Sequence, residues 1–364
     1  MDIAASGPVA GKGWRRRNPL KKYLFYISQL YGFSIVRPLQ DAIISRGDDT
    51  AWFFDNPGKL LPYLRPDEKH LETVADVRAY NPCAVFVPGN VVADFFPGIK
   101  VELFHGFHAR KRSDERGHFR IRNFFDLYCT QGPDTTAPFL ELAEKQGSFE
   151  VVETGWPKMD PLFKNCRNND LRKDRPVVLM TSTFTPRLSG APALFESVRQ
   201  IAGTGEWKWL VNFHPKMAKE VVEKYKAIQS ENLIFVETDD IIPLLKAADV
   251  MVSDTSSVIS EFLIQHKPVV TFKNRTQGPH LVNISEPGEL HDAVTLALSR
   301  PDDLMSNIGR YADHIHPYRD GQSSLRVLEA TDRLVNRGLG HLKPKPFNLV
   351  RRWKVRKQIG YYWF

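Results

Sequence analysis

Three cysteines in 364 residues, Cys83, Cys129 and Cys166, are too few and too widely spaced for a disulfide framework. None stands in a C-x-x-C pair, so a zinc knuckle is not suggested either, and a reducing compartment is expected. No apolar run approaches the roughly 18 to 20 residues that a bilayer-spanning helix needs. The N-terminus lacks the basic, apolar and small-residue order of a secretory signal, so a soluble or peripheral protein on the cytoplasmic side is the expectation. Internal repeats and low-complexity segments are absent as well. No D-x-D pair follows a strand-like run, which leaves no cofactor and no obligatory metal to expect, and room only for a loosely held magnesium ion.

Acidic residues are missing from two cationic stretches near the ends, 12–22 and 343–357. Lys12, Arg15, Arg16, Arg17, Lys21 and Lys22 stand together without an acid, as do Lys343, Lys345, Arg351, Arg352, Lys354, Arg356 and Lys357. Set against a formal charge of +8, these thirteen cations leave the rest of the chain near −5, which argues against a nucleic-acid surface. The second cluster interleaves with Trp353, Tyr361, Tyr362, Trp363 and Phe364. An anionic membrane face and a terminal helix packed back on the protein are both open readings of it.

What the chain does contain is 42% hydrophobic and 25% charged residues, enough for two cores. Short apolar runs at 23–28, 51–54, 84–87, 101–104, 127–130 and 151–154 alternate with helical stretches, and Gly32 falls where the first strand should turn into a helix. A membrane-surface helix over the first of these runs is the weaker alternative, given its aromatic and β-branched content. After a polar stretch between 161 and 176, the alternation restarts with strands at 177–182, 209–213, 233–236, 249–253 and 268–272. The expected fold class is therefore α/β, with two Rossmann-like doubly wound domains facing a cleft. The expected boundaries are a basic extension over 1–22, an N-terminal Rossmann-like domain over 23–165, a C-terminal Rossmann-like domain over 166–340 and a basic, aromatic tail over 341–364.

In such sheets ligands sit beyond the carboxyl ends of strands. His105 and Gly106 follow one strand directly, ahead of the cationic Lys111, and suit a general base beside a phosphate-bearing substrate; a histidine capping the sheet is the plain alternative. His214 and Lys216 follow another strand and could donate to phosphate oxygens. Asp254 ends a third strand, and Thr255, Ser256 and Ser257 then open a helix, as an anion cradle or as an ordinary N-cap. Glu261 lies one turn beyond Ser257 and could meet a ribose hydroxyl or simply face solvent. Residues 316–327 read as a turn and a helix closing the second domain, with a cleft-rim role for Gly321 and Ser323 as the other reading.

These segments, in this order, resemble the CDP-glycerol:poly(glycerophosphate) glycerophosphotransferase family. The likeness rests on LFHGFHARK (103–111), GWPKMDPLF (155–163), PVVLMTSTF (176–184), NFHPK (212–216), ADVMVSDTSSVISEF (248–262) and DGQSSLRV (320–327). It implies a GT-B-like transferase that moves glycerol phosphate from CDP-glycerol to a hydroxyl acceptor of a surface polymer or lipid-linked glycan, releasing CMP. His105 and His214 would be catalytic, and Thr255, Ser256, Ser257, Glu261, Lys216 and Asp254 would bind the donor. Gly106, Lys111, Asp160, Gly321 and Ser323 would line the cleft. The sequence departs from the family at Phe104, Lys158 and Thr255, and 182–185 lacks the usual proline and arginine, a cation that Arg187 or Lys216 could supply. A nucleotide-sugar glycosyltransferase and a UDP-sugar 2-epimerase are the alternative enzymes on this fold. A non-catalytic module binding a surface polymer is the alternative outside enzymes.

Overall fold

The computed structural model describes residues 19–107, 119–164, 175–238 and 240–362. Lys111, the cations from Lys12 to Arg17 and most of the polar connection between the two halves lie outside the described residues.

The front lobe is built on strands β1 (Lys22–Ile27), β2 (Asp49–Phe54), β3 (Ala84–Val87), β4 (Ile99–Glu102), β5 (Leu127–Thr130) and β6 (Glu150–Glu153). The rear lobe uses β7 (Val177–Met180), β8 (Lys208–Val211), β9 (Leu233–Phe235), β10 (Val250–Ser253), β11 (Val269–Phe272) and β12 (Val282–Ile284). Every pairing is parallel, and the strand orders are β2-β1-β3-β4-β5-β6 and β12-β11-β10-β7-β8-β9. Runs such as 84–87 and 177–180 are buried at every position, as strands covered by helices on both faces must be. The order reverses between β1 and β3 in front and between β7 and β10 behind. A crevice opens at such a reversal, because the loops on either side leave in opposite directions.

Two sequence expectations shift for local reasons. Gly32 lies inside the first turn of the helix Tyr31–Ser45, where a Cβ would come within 2.8 Å of the Ile27 side chain. Glycine there permits close helix-to-strand packing. The strand expected at 101–104 ends at Glu102, because Phe104 turns the chain with a φ of 60°. Positive φ is costly for a bulky residue and incompatible with a continuing strand. The membrane-surface alternative for the first apolar run is excluded, since β1 is paired on both sides and buried.

The lobes are joined by more than the chain connection. One apolar cluster runs from Tyr23 and Phe25 in front, through Met159, Leu162, Leu244 and Leu328, to Leu179 and Met251 behind. The helix Ser323–Arg337 follows the rear lobe in sequence yet packs on the front one, where Asp332 accepts from Tyr23 Oη at 2.7 Å and pairs with Lys21 and Arg46. Asp160 seals this seam. Its two carboxylate oxygens accept the backbone N–H groups of Ser323 and Ser324, each at 2.8 Å, so it caps a helix that begins 163 residues later. Gly321, at φ +67°, passes 3.0 Å from the Asp160 carbonyl measured from an added Cβ. Asp160, Gly321 and Ser323, expected at the cleft, are therefore parts of a buried junction. The reason is burial: Asp160 and Ser323 are each about 1% exposed.

His316 belongs to the same seam. It is fully buried, its Nε2 accepts the Trp156 N–H at 3.0 Å, and Phe107, Phe163 and Tyr318 surround the ring. Burial pushes its pKa down from 6.5 to about 4. Below pH 6.5 the unfolded chain takes up a proton that the folded imidazole refuses, so stability falls as pH drops toward 4. Between pH 7 and 5 this group should cost about 2 kcal/mol of unfolding free energy. Urea unfolding of the unsubstituted protein and of His316→Gln at both pH values checks this: the variant should lose that part of the pH slope.

Candidate functional site

The rear crevice is shaped by one carboxylate. Asp254 leaves the end of β10 and is 1% exposed. It accepts from Ser182 Oγ at 2.5 Å, from the N–H of Thr183 at 3.0 Å, of Gly190 at 3.0 Å and of Thr255 at 2.6 Å. Those donors bracket the loop that follows β7. The carboxylate thus pins both ends of that loop across the β7–β10 reversal, and an inner bond between Thr181 Oγ1 and Ser253 Oγ at 2.9 Å runs beside it. Asp254 was expected to touch the donor directly. These bonds go to the protein, which makes it the organiser of the crevice, because a buried carboxylate must be satisfied by nearby N–H and O–H groups.

Phe184, at the start of the pinned loop, lies against His214 with ring centroids 4.6 Å apart. Lys216 sits with Nζ 5.7 Å from the same phenyl ring. His214 follows β8, is exposed, and accepts the Lys216 N–H on Nδ1 at 3.0 Å. With Nδ1 used as an acceptor, the neutral imidazole carries its proton on Nε2 and offers it as a donor. Arg187 is exposed on the same loop. The structure therefore groups His214, Lys216, Asp254 and Thr255 with Ser182, Thr183 and Phe184.

Beyond Asp254, Thr255 and Ser256 are half-buried and Ser257 is exposed. The helix they open, Val258–Leu263, has only six residues, and Ser257 at its N-cap position makes no side-chain capping bond. Ser256 Oγ reaches the Val258 N–H only at 3.5 Å. The ordinary-cap reading is thus not what holds this turn, and so short a helix contributes little dipole. Glu261, expected at a ribose or in solvent, is 6% exposed and pairs through Oε1 with Lys158 Nζ of the front lobe at 2.5 Å.

In the front lobe, His105 follows the turn made by the strained Phe104 and is exposed. Its ring lies 5.4 Å from that of Tyr31, at the start of the helix after β1. Among the described residues, an added Cβ on Gly106 would meet nothing within 4 Å. Nearby, burial drives the Glu102 carboxyl well above its usual pKa. Among the described residues there is no group of three or more His, Cys, Asp or Glu side chains arranged to hold a metal ion.

Sequence reasoning undervalues three places in the chain. Lys158 was read only as a departure from a pattern, and residues 182–185 as a loss of charge. Tyr31 carried one signal, an aromatic at a βα turn. If Asp254 organises the crevice, Asp254→Ala leaves several buried donors unpaired and should cost about 3 kcal/mol. Hydrogen exchange should rise in 182–190 and at Thr255, measured against the unsubstituted protein, with the front sheet unchanged.

Comparison with known proteins adds three findings. The pattern of the family described as CDP-Glycerol:Poly(glycerophosphate) glycerophosphotransferase matches residues 104–277. A teichoic acid glycerol-phosphate primase of Bacillus spizizenii is 25% identical over 249 residues, 62% of this chain and 63% of the primase. The chain spans 62% and 63% of the length of the curated relatives it matches. Among solved structures, the wall teichoic acid polymerase TagF superposes with a TM-score of 0.64 at 14% identity, covering 87% of this chain and 90% of that one. A UDP-N-acetylglucosamine 2-epimerase gives a TM-score of 0.59 at 16% identity, covering 90% and 98%. These likenesses fix the fold as GT-B-like. Both strand-end histidines and the whole 254–261 block lie inside the matched span, so that over residues 104–277 the chain is similar to the CDP-glycerol:poly(glycerophosphate) glycerophosphotransferase family.

Proposed function

We propose that the protein transfers glycerol phosphate from CDP-glycerol to a hydroxyl acceptor of a surface polymer or lipid-linked glycan, releasing CMP. The observation that carries this reading is the family match over 104–277, which contains both exposed strand-end imidazoles and the Asp254–Glu261 block. An alcohol is a poor nucleophile until its proton is removed as it attacks phosphorus. His105, exposed at the strand end, is assigned that proton. As the new P–O bond forms, the bond from the glycerol phosphate phosphorus to the bridging oxygen breaks and its electrons leave with CMP. His214, with Nε2 as donor, and the ammonium of Lys216 stabilise the charge on the diphosphate oxygens. Ser256 and Ser257 bind the same oxygens, and Arg187 supplies a further cation from the pinned loop. Glu261 accepts a ribose hydroxyl on its second oxygen.

The reaction is proposed without an obligatory metal, with room for magnesium loosely held by the donor's phosphates. The fold shared with a UDP-N-acetylglucosamine 2-epimerase makes a nucleotide-sugar donor the second reading. A thermal-shift panel separates the two, since the cognate donor raises the melting temperature by binding the native state.

We also propose an anionic membrane surface as a partner, at the cytoplasmic face. No helix among the described residues is long and apolar enough to cross a membrane. The helix Leu349–Gln358 packs on the front lobe through Val355 and through Arg356, which lies over Phe95. It leaves Phe347, Leu349, Val350 and Trp353 exposed beside Lys354 and Lys357. Apolar side chains flanked by cations suit an anionic headgroup layer.

CMP release from CDP-glycerol should fall about a hundredfold or more in His105→Ala and in His214→Ala, at unchanged melting temperature, and persist in EDTA. Full turnover in both variants would remove the assignment. In sedimentation with vesicles, binding should favour phosphatidylglycerol over phosphatidylcholine and weaken in the double variant Trp353→Glu, Lys354→Glu. Equal sedimentation with both lipids would reject the membrane surface.

A further inference from the structure

Glu261 and Lys158 are 103 residues apart and belong to different lobes, yet their side chains meet at 2.5 Å with little exposure, 8% and 18%. The pair is asymmetric. Oε1 takes the ammonium, while Oε2 is buried and has no hydrogen-bond partner among the described residues. Lys158 is itself constrained, with Nζ 5.2 Å from the Trp156 ring, on a short turn fixed at both ends. Trp156 donates its N–H to His316, and Asp160 caps the helix Ser323–Arg337. The cation is therefore presented to the rear lobe by the rigid seam.

A buried carboxylate oxygen with spare acceptor capacity is costly unless something donates to it. Glu261 is one helical turn beyond Ser257, the exposed residue that opens its helix. A ligand that reaches Oε2 must bring an O–H or N–H donor. A second cation would have to share a site that already holds an ammonium, and an anion would be repelled by the carboxylate.

We propose that Lys158 is a positioning residue of the donor site. By occupying Oε1 it fixes the rotamer of the Glu261 carboxylate, so that Oε2 receives a hydroxyl of the nucleotide's ribose. This rests on the donor-site reading above and deepens it, because the ribose is then read by a carboxylate in one lobe that is set by a cation from the other. Recognition of the sugar hydroxyls depends on the lobes holding their present relation.

The experiment is calorimetric titration of the full chain with CMP and with 2′,3′-dideoxy-CMP, which differ only in the ribose hydroxyls. The unsubstituted protein should prefer CMP by about tenfold or more, the scale of a lost charge-assisted hydrogen bond. Lys158→Met should bring the ratio close to one, as should Glu261→Gln. Lys158→Arg should restore the preference, since it keeps the cation. A purely structural role would lower the melting temperature or weaken both nucleotides alike and leave their ratio intact. If Lys158→Met retains the tenfold ratio, the positioning role is overturned. If the unsubstituted protein binds neither nucleotide, the donor-site reading falls and this inference with it. If it binds both equally, the ribose contact fails while nucleotide binding stands.

Discussion

The Asp160 carboxylate sets the relation between the two sheets. It lies at the end of the front lobe's last strand-turn unit and spends both oxygens on the first two N–H groups of a helix that follows the rear lobe. Burying a carboxylate is expensive, and here two charge-assisted bonds offset the cost while the positive end of a fifteen-residue helix points at it. Around this contact the seam admits few alternatives. An added Cβ on Gly155 would fall 2.5 Å from Ser323 Oγ, and one on Gly132 would fall 2.5 Å from the Ile315 carbonyl. His316 can then accept from Trp156, and Lys158, two residues on, is aimed at Glu261.

The rear crevice repeats this logic at shorter range. Asp254 stands at the reversal of strand order and gathers its donors from the loop after the neighbouring strand and from its own successor. The polar cost of leaving a carboxylate at a buried strand end becomes a device for holding the loop still. Phe184 and His214 consequently lie against each other with their rings tilted, and the Nδ1 of His214 is occupied by a backbone N–H. That occupation fixes the tautomer. In both lobes, then, a buried carboxylate is satisfied by the protein while a strand-end histidine stands exposed, and the distinction between them is one of burial.

Much of the site was legible in advance because strand ends are legible. Continuous apolar runs stop where His105, His214 and Asp254 begin, and a parallel sheet places such residues on one edge. Burial was less so. Asp160, Gly321 and Ser323 share the residue types of a ligand site, and no local pattern tells a capping aspartate from a catalytic one when its partner lies 163 residues away. Glu261 is similar: helical spacing put it one turn from Ser257, while only the fold supplied Lys158. The tail combined both of its readings, packing through Val355 and Arg356 while leaving an apolar and cationic face outward.

By itself the sequence determined two parallel α/β lobes, the strand ends where polar groups gather, and a likeness to one family over residues 104–277, because these depend on residue order and on periodicities of two and 3.6. The tertiary structure alone decided which polar residues are spent on the protein and which remain for a substrate. That division is set by contacts between residues more than seventy or a hundred positions apart, as in Ser182 with Asp254 and Lys158 with Glu261, and by the burial that makes each such contact obligatory.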